Sequence, residues 1–398
     1  MNPLSQRVIN MDESATLAMA QKAREFKAKG IDVISLSLGE PDFKTPEHIQ
    51  KAAIEAIKSQ KYFSYAPVPG YPDLREAIAN KFKEENGIEC TAANIVVSTG
   101  AKHSIANIMM SMLDPGDEVI VQSPYWVSYA DVIKVAEGIP VYVKGSIEDN
   151  FKASAEQLEN AITDKTKMMI YSSPCNPSGE VFTKEEIGAM VEVLERHPNV
   201  YVVSDEIYEH INFTDGHVSI GSFPSMKDRV ITVNGVSKAF AMTGWRIGYM
   251  CAPEAIAKAC TKIQGQFTSG ANGIAQRAAL AAITSDLGPT KAMANEYLER
   301  RQMVYDLLNQ IPGVKTIMPS GAFYFLPDVS SYFGKSYDKW KVNDASDFCM
   351  YLLEYANVSL VTGQAFGVPE CVRLSYAASR DNLKEAFKRI TDALAKLQ

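Results

Sequence analysis

The chain contains 398 residues, 46% of which are hydrophobic, and carries a formal net charge of −7. This length accommodates two domains, or one large domain with a smaller one beside it. The acidic balance argues against nucleic acid or an anionic membrane as a partner, because no basic excess is present to neutralise phosphates. The longest apolar runs fall far short of the roughly 18 residues that span a bilayer, so we expect no membrane segment.

Helical patterns are spread over the first three quarters of the chain. Thr45 and Pro46 predict a helix that begins with an N-cap and a proline in its first turn. Pro72 begins a second helix that ends near residue 85. Two further helix starts carry capping boxes, formed by Ser154 with Gln157 and by Thr183 with Glu186.

Short apolar runs between these helices predict buried strands. They lack clean period-two alternation, which is typical of strands covered on both faces. The alternation of helix and strand predicts an α/β fold with a mostly parallel central sheet covered by helices, and the chemistry of such sheets gathers at the carboxyl ends of the strands. The runs comprise residues 95–97, 119–121, 168–170, 200–203 and 230–233.

The pattern changes after about Gly288. A long helix runs toward Ile311, three short strands follow, and a last helix begins near Arg380. This indicates a second, smaller α/β domain. The strands are predicted at residues 323–326, 358–361 and 372–376, and the domains at 1–45 (an N-terminal segment packing with the small domain), 46–288 (large) and 289–398 (small).

The sequence favours a cytoplasmic protein without a metal site. Polar residues occupy the N-terminus where a signal peptide needs an apolar stretch, and the six cysteines form no CxxC pair. The five histidines show no HExxH spacing, and neither a GxGxxG nor a GxxxxGK motif is present. His210 lies four residues after Glu206, and the two could share a helix face. We interpret both as polar residues at the surface.

Residues 237–249, SKAFAMTGWRIGY, place a hydroxyl, an amine and a guanidinium close together in Ser237, Lys238 and Arg246. A lysine that forms a Schiff base needs a partly dry pocket that lowers its pKa. A phosphate held nearby needs hydroxyl donors and the fixed fork of an arginine. An isolated lysine would more simply lie on a solvated loop, but three other segments supply partners: SSPCNPSGEVF (172–182), VVSDEIYEH (202–210) and CVRLSYA (371–377).

These four blocks, in this order, resemble the class I aminotransferases, which are pyridoxal-phosphate enzymes of fold type I. The resemblance runs from about Ser35 to the C-terminus. The segments SLGEPDF, GYPDLREA and SPYWVSY are similar to the bacterial aspartate aminotransferase subgroup. The resemblance implies pyridoxal 5'-phosphate as the cofactor, and an amino acid and a 2-oxo acid as the substrates.

Asp205 follows a predicted buried strand, where an unpartnered carboxylate would cost several kcal/mol. The resemblance implies that it pairs with the cofactor's ring nitrogen, whose proton makes the ring an electron sink. Alone, Asp205 would more simply cap the next helix. By the same resemblance Tyr208 donates to the cofactor's phenolic oxygen, Asn176 contacts that oxygen and the substrate carboxylate, and Trp126 stacks on the ring. Without the resemblance, Tyr208 and Trp126 could equally be core residues, and Asn176 would indicate only a surface turn.

Gly100, Ala101 and Lys102 follow a predicted strand and begin a helix. Free amides at a helix N-terminus bind anions, and the family places the cofactor phosphate there. A tight strand-to-helix turn is the structural alternative, and both interpretations can hold together.

The substrate contacts are also implied by the resemblance. Arg373 becomes a bidentate clamp for the α-carboxylate, although an exposed strand arginine is the simpler interpretation of CVRLSY alone, and Gly39 brings its backbone close to the same group. Tyr65 resembles a tyrosine that reaches the cofactor phosphate of a neighbouring subunit, which implies a homodimer. Lys102 is the candidate cation for a distal substrate carboxylate, with Thr16 adding a hydroxyl; alternatively, Lys102 only neutralises phosphate or points to solvent.

The favoured function is transamination of L-aspartate with 2-oxoglutarate by a ping-pong mechanism, with Lys238 as Schiff-base lysine and proton shuttle. Specificity for prephenate, aromatic amino acids or alanine is an alternative. So is a C–S lyase or a ring-closing synthase on the same fold, because fold and cofactor site would be shared. A ligand-sensing regulator is a third possibility, which the acidic balance and the short segment before Ser35 disfavour.

Overall fold

The computed structural model describes residues 3–9, 11 and 15–398. The chain begins with α1 (Gln6–Ile9), α2 (Ala15–Ala28) and β1 (Ile34–Ser35). Ile34 pairs in parallel with Val358, and Met19 and Ala23 of α2 join a hydrophobic cluster built mainly from residues 297–397. The described part of the N-terminal segment therefore contacts the C-terminal region, while residues 1, 2, 10 and 12–14 of the predicted 1–45 segment lie outside the described residues.

A seven-stranded sheet forms the centre of the described chain, with the order β2-β8-β7-β6-β5-β3-β4. β8 runs antiparallel to both neighbours, and the other pairs are parallel. The five predicted strands are confirmed, with an offset at the fourth, where Val200 precedes the strand. β4 and β8 were not predicted, because β4 is an edge strand with exposed residues and β8 has only four residues. The strands are β2 (Ile95–Ser98), β3 (Glu118–Ser123), β4 (Ile139–Lys144), β5 (Thr166–Ser172), β6 (Tyr201–Asp205), β7 (Val230–Gly235) and β8 (Gly248–Cys251).

Helices cover both faces of this sheet. Val203 of β6 packs into one hydrophobic cluster and its neighbour Val202 into another, so alternate residues of one strand are buried on opposite faces. This is why the strands show no period-two pattern. The helices in this part of the chain are α3 (Glu47–Ser59), α4 (Pro72–Asn86), α5 (Ala101–Met112), α6 (Ser128–Val135), α7 (Ala155–Ala161), α8 (Lys184–Arg196), α9 (Glu254–Phe267) and α10 (Gly273–Thr284).

The predicted helix starts are confirmed except at Thr45. Both capping boxes form, at the N-termini of α7 and α8, and α4 begins at Pro72. At α3 the N-cap position belongs to Pro46 without a side-chain cap, so the N-cap prediction for Thr45 is wrong. The Thr45 hydroxyl instead donates to the Ala241 carbonyl at 2.7 Å and accepts from the Trp245 indole at 3.1 Å. A tertiary contact has replaced the local one.

The C-terminal region contains a three-stranded antiparallel sheet, β13-β14-β9, packed against helices. The predicted strand at 358–361 is in fact two short strands in different sheets, separated at Leu360, and the long helix ends at Leu308. The division at about Gly288 stays a prediction. The elements are α11 (Gly288–Leu308), β9 (Tyr324–Phe325), β10 (Ser336–Tyr337), β11 (Trp340–Lys341), α12 (Ala345–Tyr355), β12 (Val358–Ser359), β13 (Val361–Thr362), β14 (Val372–Ser375) and α13 (Arg380–Leu394). No helix of the described chain has the length and apolar character needed to cross a membrane.

Candidate active site

A cavity of about 510 Å³ lies at the carboxyl ends of the central strands, where it is closed on one side by the N-terminal and C-terminal regions. The turns after β2, β3, β5, β6 and β7 all contribute to its wall, as expected for an α/β sheet. Of the predicted site residues, twelve line it: Thr16, Gly39, Ala101, Lys102, Trp126, Asn176, Asp205, Tyr208, Ser237, Lys238, Arg246 and Arg373. Gly100 directly precedes this lining.

Tyr65 is the one predicted site residue placed elsewhere. It lies between α3 and α4, is 96% exposed, and does not line the cavity of its own chain. Phe63, in the same segment, and Phe267, at the end of α9, are also exposed aromatic side chains. The geometry of a single chain therefore gives Tyr65 no contact with the cavity.

Lys238 is half-buried and its Nζ donates to the Gly39 carbonyl at 2.5 Å. The ammonium also lies 5.7 Å from the centre of the Tyr208 ring. Removal from water lowers the pKa of Lys238 to about 8, while the charge of Glu40 opposes this shift. With this pKa about a tenth of the amine is uncharged at pH 7, and more at higher pH; the uncharged amine is the form that reacts with a carbonyl or accepts a proton.

Asp205, the last residue of β6, is a buried carboxylate that has hydrogen-bond donors but, among the residues that the structure describes, no cation in ion-pair contact with it. Its Oδ2 accepts from the Tyr129 hydroxyl at 2.6 Å, and its Oδ1 accepts from the Ile207 amide at 3.3 Å. Burial raises the pKa of Asp205 to about 6, against the opposing effect of these hydrogen bonds. A protonated ring nitrogen in the cavity would supply the missing positive charge.

Arg373 lies on β14 and is only 2% exposed, so the alternative of an exposed strand arginine is wrong. Its guanidinium donates from Nη1 to Asn176 Oδ1 at 2.9 Å and from Nη2 to the Ser37 carbonyl at 2.7 Å. Within the described ranges its Nε has no hydrogen-bond partner, and no carboxylate is among the groups that act on its charge. A buried cation without a counter-ion beside a cavity indicates an anionic ligand.

An anion cradle lies at the N-terminus of α5. Gly100 has a φ of 84°, and a Cβ added there would collide with the Arg246 guanidinium. The start of α5 and the Arg246 side chain thus meet at the wall of the cavity, which Ser237 also lines. Helix N-termini and guanidinium groups favour negative charge, so the cradle suits a phosphate.

Lys102 and Trp126 stand together on the cavity wall. The Lys102 Nζ lies 4.9 Å from the centre of the Trp126 ring. Partial desolvation and, second, the charge of Arg246 lower the pKa of Lys102. The Thr16 hydroxyl oxygen is buried and has no hydrogen-bond partner in the part of the chain that the structure describes. An ammonium and an unpartnered hydroxyl therefore line the same cavity as Arg373.

Two tyrosines that contact the site were not predicted. Tyr129 holds Asp205, and the Tyr324 hydroxyl lies 2.7 Å from that of Tyr208. Tyr129 stands three residues after Trp126 in SPYWVSY, so the motif contained it, but nothing in the spacing pointed to Asp205. Tyr324 lies on β9, 116 positions from Tyr208, and only the folded chain brings the two together.

A buried charge network lies outside the cavity, on the other side of the segment that carries Asp205 and Tyr208. Glu206 is fully buried and accepts from His217 at 2.8 Å, so its interpretation as a surface residue is wrong; His210 contacts Glu85 instead. Lys81 forms an ion pair with Glu209. Burial would raise the pKa of Glu209, but nearby positive charges, led by Lys81, lower it to about 2.

The network also contains two groups of possible metal ligands, whose atoms lie within 4.8 Å of one another. The Lys81 ammonium contacts Glu209, which both groups share, so a protein cation already occupies this position. The groups are Glu85 with Glu209 and His210, and Glu206 with Glu209 and His217.

Comparison with known proteins defines the class to which this fold and site belong. A model of the aminotransferase class I and II family matches residues 31–390. The chain is 46% identical to the aspartate/prephenate aminotransferase of Nitrosomonas europaea, over 98% of this chain and 100% of that protein. It is 44% identical to the aspartate aminotransferase of Geobacillus stearothermophilus, over 97% and 98%. The chain therefore belongs to the class I and II aminotransferases, which confirms the resemblance.

Solved structures agree with the fold. The aspartate aminotransferase of Rhizobium meliloti superposes with a TM-score of 0.96 at 40% identity, covering 100% of both chains. That of Thermus thermophilus with maleate superposes with a TM-score of 0.93 at 42% identity, covering 99% of this chain and 100% of that one. The fold-type I class is thereby confirmed.

The raised pKa of Asp205 predicts a pH-dependent stability of the cofactor-free protein. The folded state binds this proton more tightly than the unfolded chain, so the stabilisation is complete below about pH 4 and is lost as the pH rises through about 6. Asp205→Asn removes the titration. Its free energy of unfolding relative to wild type should therefore rise by up to about 3 kcal/mol between pH 4 and 8. Urea unfolding across this range measures it, with exposed Asp164→Asn as control; a flat difference for Asp205→Asn would contradict the assignment.

Proposed function

We propose that this protein is a pyridoxal-phosphate-dependent aminotransferase that exchanges the amino group between L-aspartate and 2-oxoglutarate. The observation that carries the proposal is Arg373, a buried guanidinium that lacks a carboxylate partner among the described residues and faces the same cavity as Lys238. Every amino-acid and 2-oxo-acid substrate brings one carboxylate, and a planar guanidinium binds it bidentately.

The residues of the cavity fit the cofactor. The start of α5, Ser237 and Arg246 would hold its phosphate, and Asp205 would hold its ring nitrogen. Lys238 would bind its aldehyde carbon, with Tyr208 and Asn176 at its phenolic oxygen and Trp126 at its ring face. When bound, pyridoxal phosphate withdraws electrons from the substrate's α-carbon and so makes its proton labile.

The chain's own residues then supply the proton transfer. With an amino acid in the cavity, the Lys238 amine would take the α-proton, because a pKa of about 8 leaves it partly unprotonated near neutral pH. Asp205, with Tyr129 fixing one of its oxygens, would keep a proton on the ring nitrogen. Arg373 and Asn176 hold the substrate carboxylate, which fixes the α-carbon relative to Lys238.

Specificity for an acidic substrate rests on Lys102 and Thr16. Both line the cavity, and the Thr16 hydroxyl, which has no hydrogen-bond partner among the described residues, can donate to a distal carboxylate. The Thermus thermophilus relative was crystallised with maleate, which is itself a dicarboxylate. These observations support aspartate and glutamate as amino donors.

A second candidate substrate is prephenate, which also has two carboxylates but a larger carbon skeleton. The cavity wall includes Leu17 and Leu38, two leucines with exposed side chains that offer apolar surface to such a skeleton. Relatives from Nitrosomonas europaea and Cereibacter sphaeroides are named aspartate/prephenate aminotransferases. Prephenate therefore belongs in the first substrate panel beside aspartate, alanine and tyrosine.

We further propose a cytoplasmic homodimer in which Tyr65 reaches the cofactor phosphate of the neighbouring subunit. Its nearly complete exposure in the single chain, together with that of Phe63, suits a surface covered by a second copy. All six cysteines are free, which suits a reducing compartment.

Lys238→Ala should retain the cofactor through the phosphate contacts but lose steady-state transamination by roughly 10³-fold or more, because nucleophile and proton carrier are the same group. Absorption spectra and coupled turnover assays measure the two effects. Exposed Lys51→Ala, on α3, should keep both properties. A Lys238→Ala protein with the visible band of a lysine-bound cofactor and normal turnover would show that another lysine does this work.

Arg373→Ala should weaken aspartate, alanine and tyrosine alike, since they share the α-carboxylate. The loss in kcat/KM should correspond to about 2–5 kcal/mol, and Arg373→Lys, which keeps the charge but not the fork, should recover only part of it. A loss restricted to acidic substrates would instead assign Arg373 to the side-chain pocket.

Lys102→Met should separate the two interpretations of Lys102. If the ammonium binds the distal carboxylate, kcat/KM for aspartate should fall by about tenfold or more while alanine is nearly unaffected. Equal losses for both substrates, together with weaker cofactor binding, would assign Lys102 to the phosphate. Lys83→Met on α4, an exposed lysine far from the cavity lining, serves as the control.

A further inference from the structure

Tyr324 stands where three residues of the proposed site meet. It lies on β9, which pairs with β14, the strand that carries Arg373. Its ring is 4.7 Å from the Arg373 guanidinium, and its hydroxyl is 2.7 Å from that of Tyr208. A Cβ added to Gly39 would collide with the same hydroxyl. Tyr324 is fully buried and lines the cavity.

The contact between the two hydroxyls leaves one proton unused. Burial raises the pKa of both Tyr208 and Tyr324, so both carry their protons near neutral pH. At an oxygen–oxygen distance of 2.7 Å, one hydroxyl donates and the other accepts. Neither hydroxyl has another hydrogen-bond partner within the described part of the chain. The accepting hydroxyl therefore keeps a proton that it can direct into the cavity.

The position of Arg373 determines which hydroxyl donates. Its charge lies against the face of the Tyr324 ring. Burial raises the pKa of both tyrosines, and the Arg373 charge opposes this rise in both. The Arg373 guanidinium lies 4.7 Å from the centre of the Tyr324 ring, whereas the Lys238 ammonium lies 5.7 Å from the centre of the Tyr208 ring, so the closer cation is at Tyr324. A cation at the ring makes the phenol more acidic, and a more acidic hydroxyl is the stronger donor. Tyr324 is thus favoured as donor and Tyr208 as acceptor.

We infer that Tyr324 is a positioning residue whose O–H donates to the Tyr208 oxygen and so leaves the Tyr208 proton for an oxygen atom of a ligand in the cavity. Donation to Tyr208 also polarises its O–H bond, which strengthens the outward hydrogen bond. The inference rests on the proposed function, in which that ligand oxygen is the phenolic oxygen of the cofactor. The inference also accounts for a glycine at position 39. Its carbonyl accepts from Lys238, and a side chain at this position would displace the Tyr324 hydroxyl.

The pH dependence of the visible absorption of the cofactor-loaded enzyme tests this arrangement. A phenolic oxygen that loses donation is more basic and holds its shared proton to higher pH. Tyr324→Phe should therefore move the absorption midpoint upward by about half to one pH unit. Tyr208→Phe should move it at least as far. If Tyr324 acts only through Tyr208, Tyr324→Phe should add nothing in the Tyr208→Phe background.

Two further variants separate hydroxyl from ring. Tyr376→Phe is the matched control, because its hydroxyl donates to the Ala322 carbonyl at 3.0 Å in the same region without lining the cavity; its midpoint should stay unchanged. Replacement of Tyr324 by 3,5-difluorotyrosine keeps the hydroxyl but makes it a stronger donor, so the midpoint should fall. This second variant tests the inference even where Tyr324→Phe folds poorly.

The outcomes distinguish this inference from the proposed function. A wild-type protein that shows no cofactor-dependent visible band contradicts both. A wild-type band whose midpoint is the same in Tyr324→Phe and in the difluorotyrosine protein overturns the role of Tyr324 alone. An equal shift with and without the Tyr208 hydroxyl also overturns it, because Tyr324 would then act on the ligand independently.

Discussion

The buried charge of Arg373 is the interaction on which the candidate site depends. Its guanidinium is held by two neutral oxygens, from Asn176 and Ser37, and by the faces of two aromatic rings. Neutral acceptors fix its orientation but only partly offset the cost of removing a full charge from water. The cavity therefore favours an anion at this position, and the same logic applies with opposite sign to Asp205, whose raised pKa reports a carboxylate without a cation. A ligand that offers an anionic group to Arg373 and a cationic group to Asp205 would compensate both charges.

On the opposite side of the backbone segment 205–209, the buried charges are compensated by partners within the protein. Asp205 and Tyr208 face the cavity, while Glu206 and Glu209 point into a network in which Lys81 and His217 compensate their charges. Removing one partner from such a buried network leaves an uncompensated charge, which costs about 3–5 kcal/mol. The uncompensated groups at the cavity thus share one backbone segment with a charge-compensated set behind them, which anchors that segment.

The sequence predicted this site better than it predicted the contacts that organise it. Lys238, Asp205 and Arg373 lie in blocks whose order identifies the family, and all three line one cavity. Tyr129 and Tyr324 were missed because a buried tyrosine has no local signature, and their partners are separated by 76 and 116 positions. β4 and β8 escaped prediction because an exposed edge strand and a four-residue strand lack the apolar run that marks a buried one. The Thr45 prediction failed because the hydroxyl has stronger tertiary partners than the helix end.

The groups of the site come from three parts of the chain, so long-range contacts determine their positions relative to one another. Gly39 follows β1, which is held by pairing with β12; Lys238 follows β7 of the central sheet; Arg373 lies on β14. Lys238 contacts the Gly39 carbonyl, Arg373 contacts Ser37 just before it, and Tyr324 touches both the Arg373 and the Tyr208 side chains. The N-terminal segment contacts both Lys238 and Arg373. It therefore helps to fix the distance between Lys238 and an anion bound by Arg373, in addition to the central sheet. The two-residue strand β1 near the N-terminus therefore belongs to the scaffold of the candidate site.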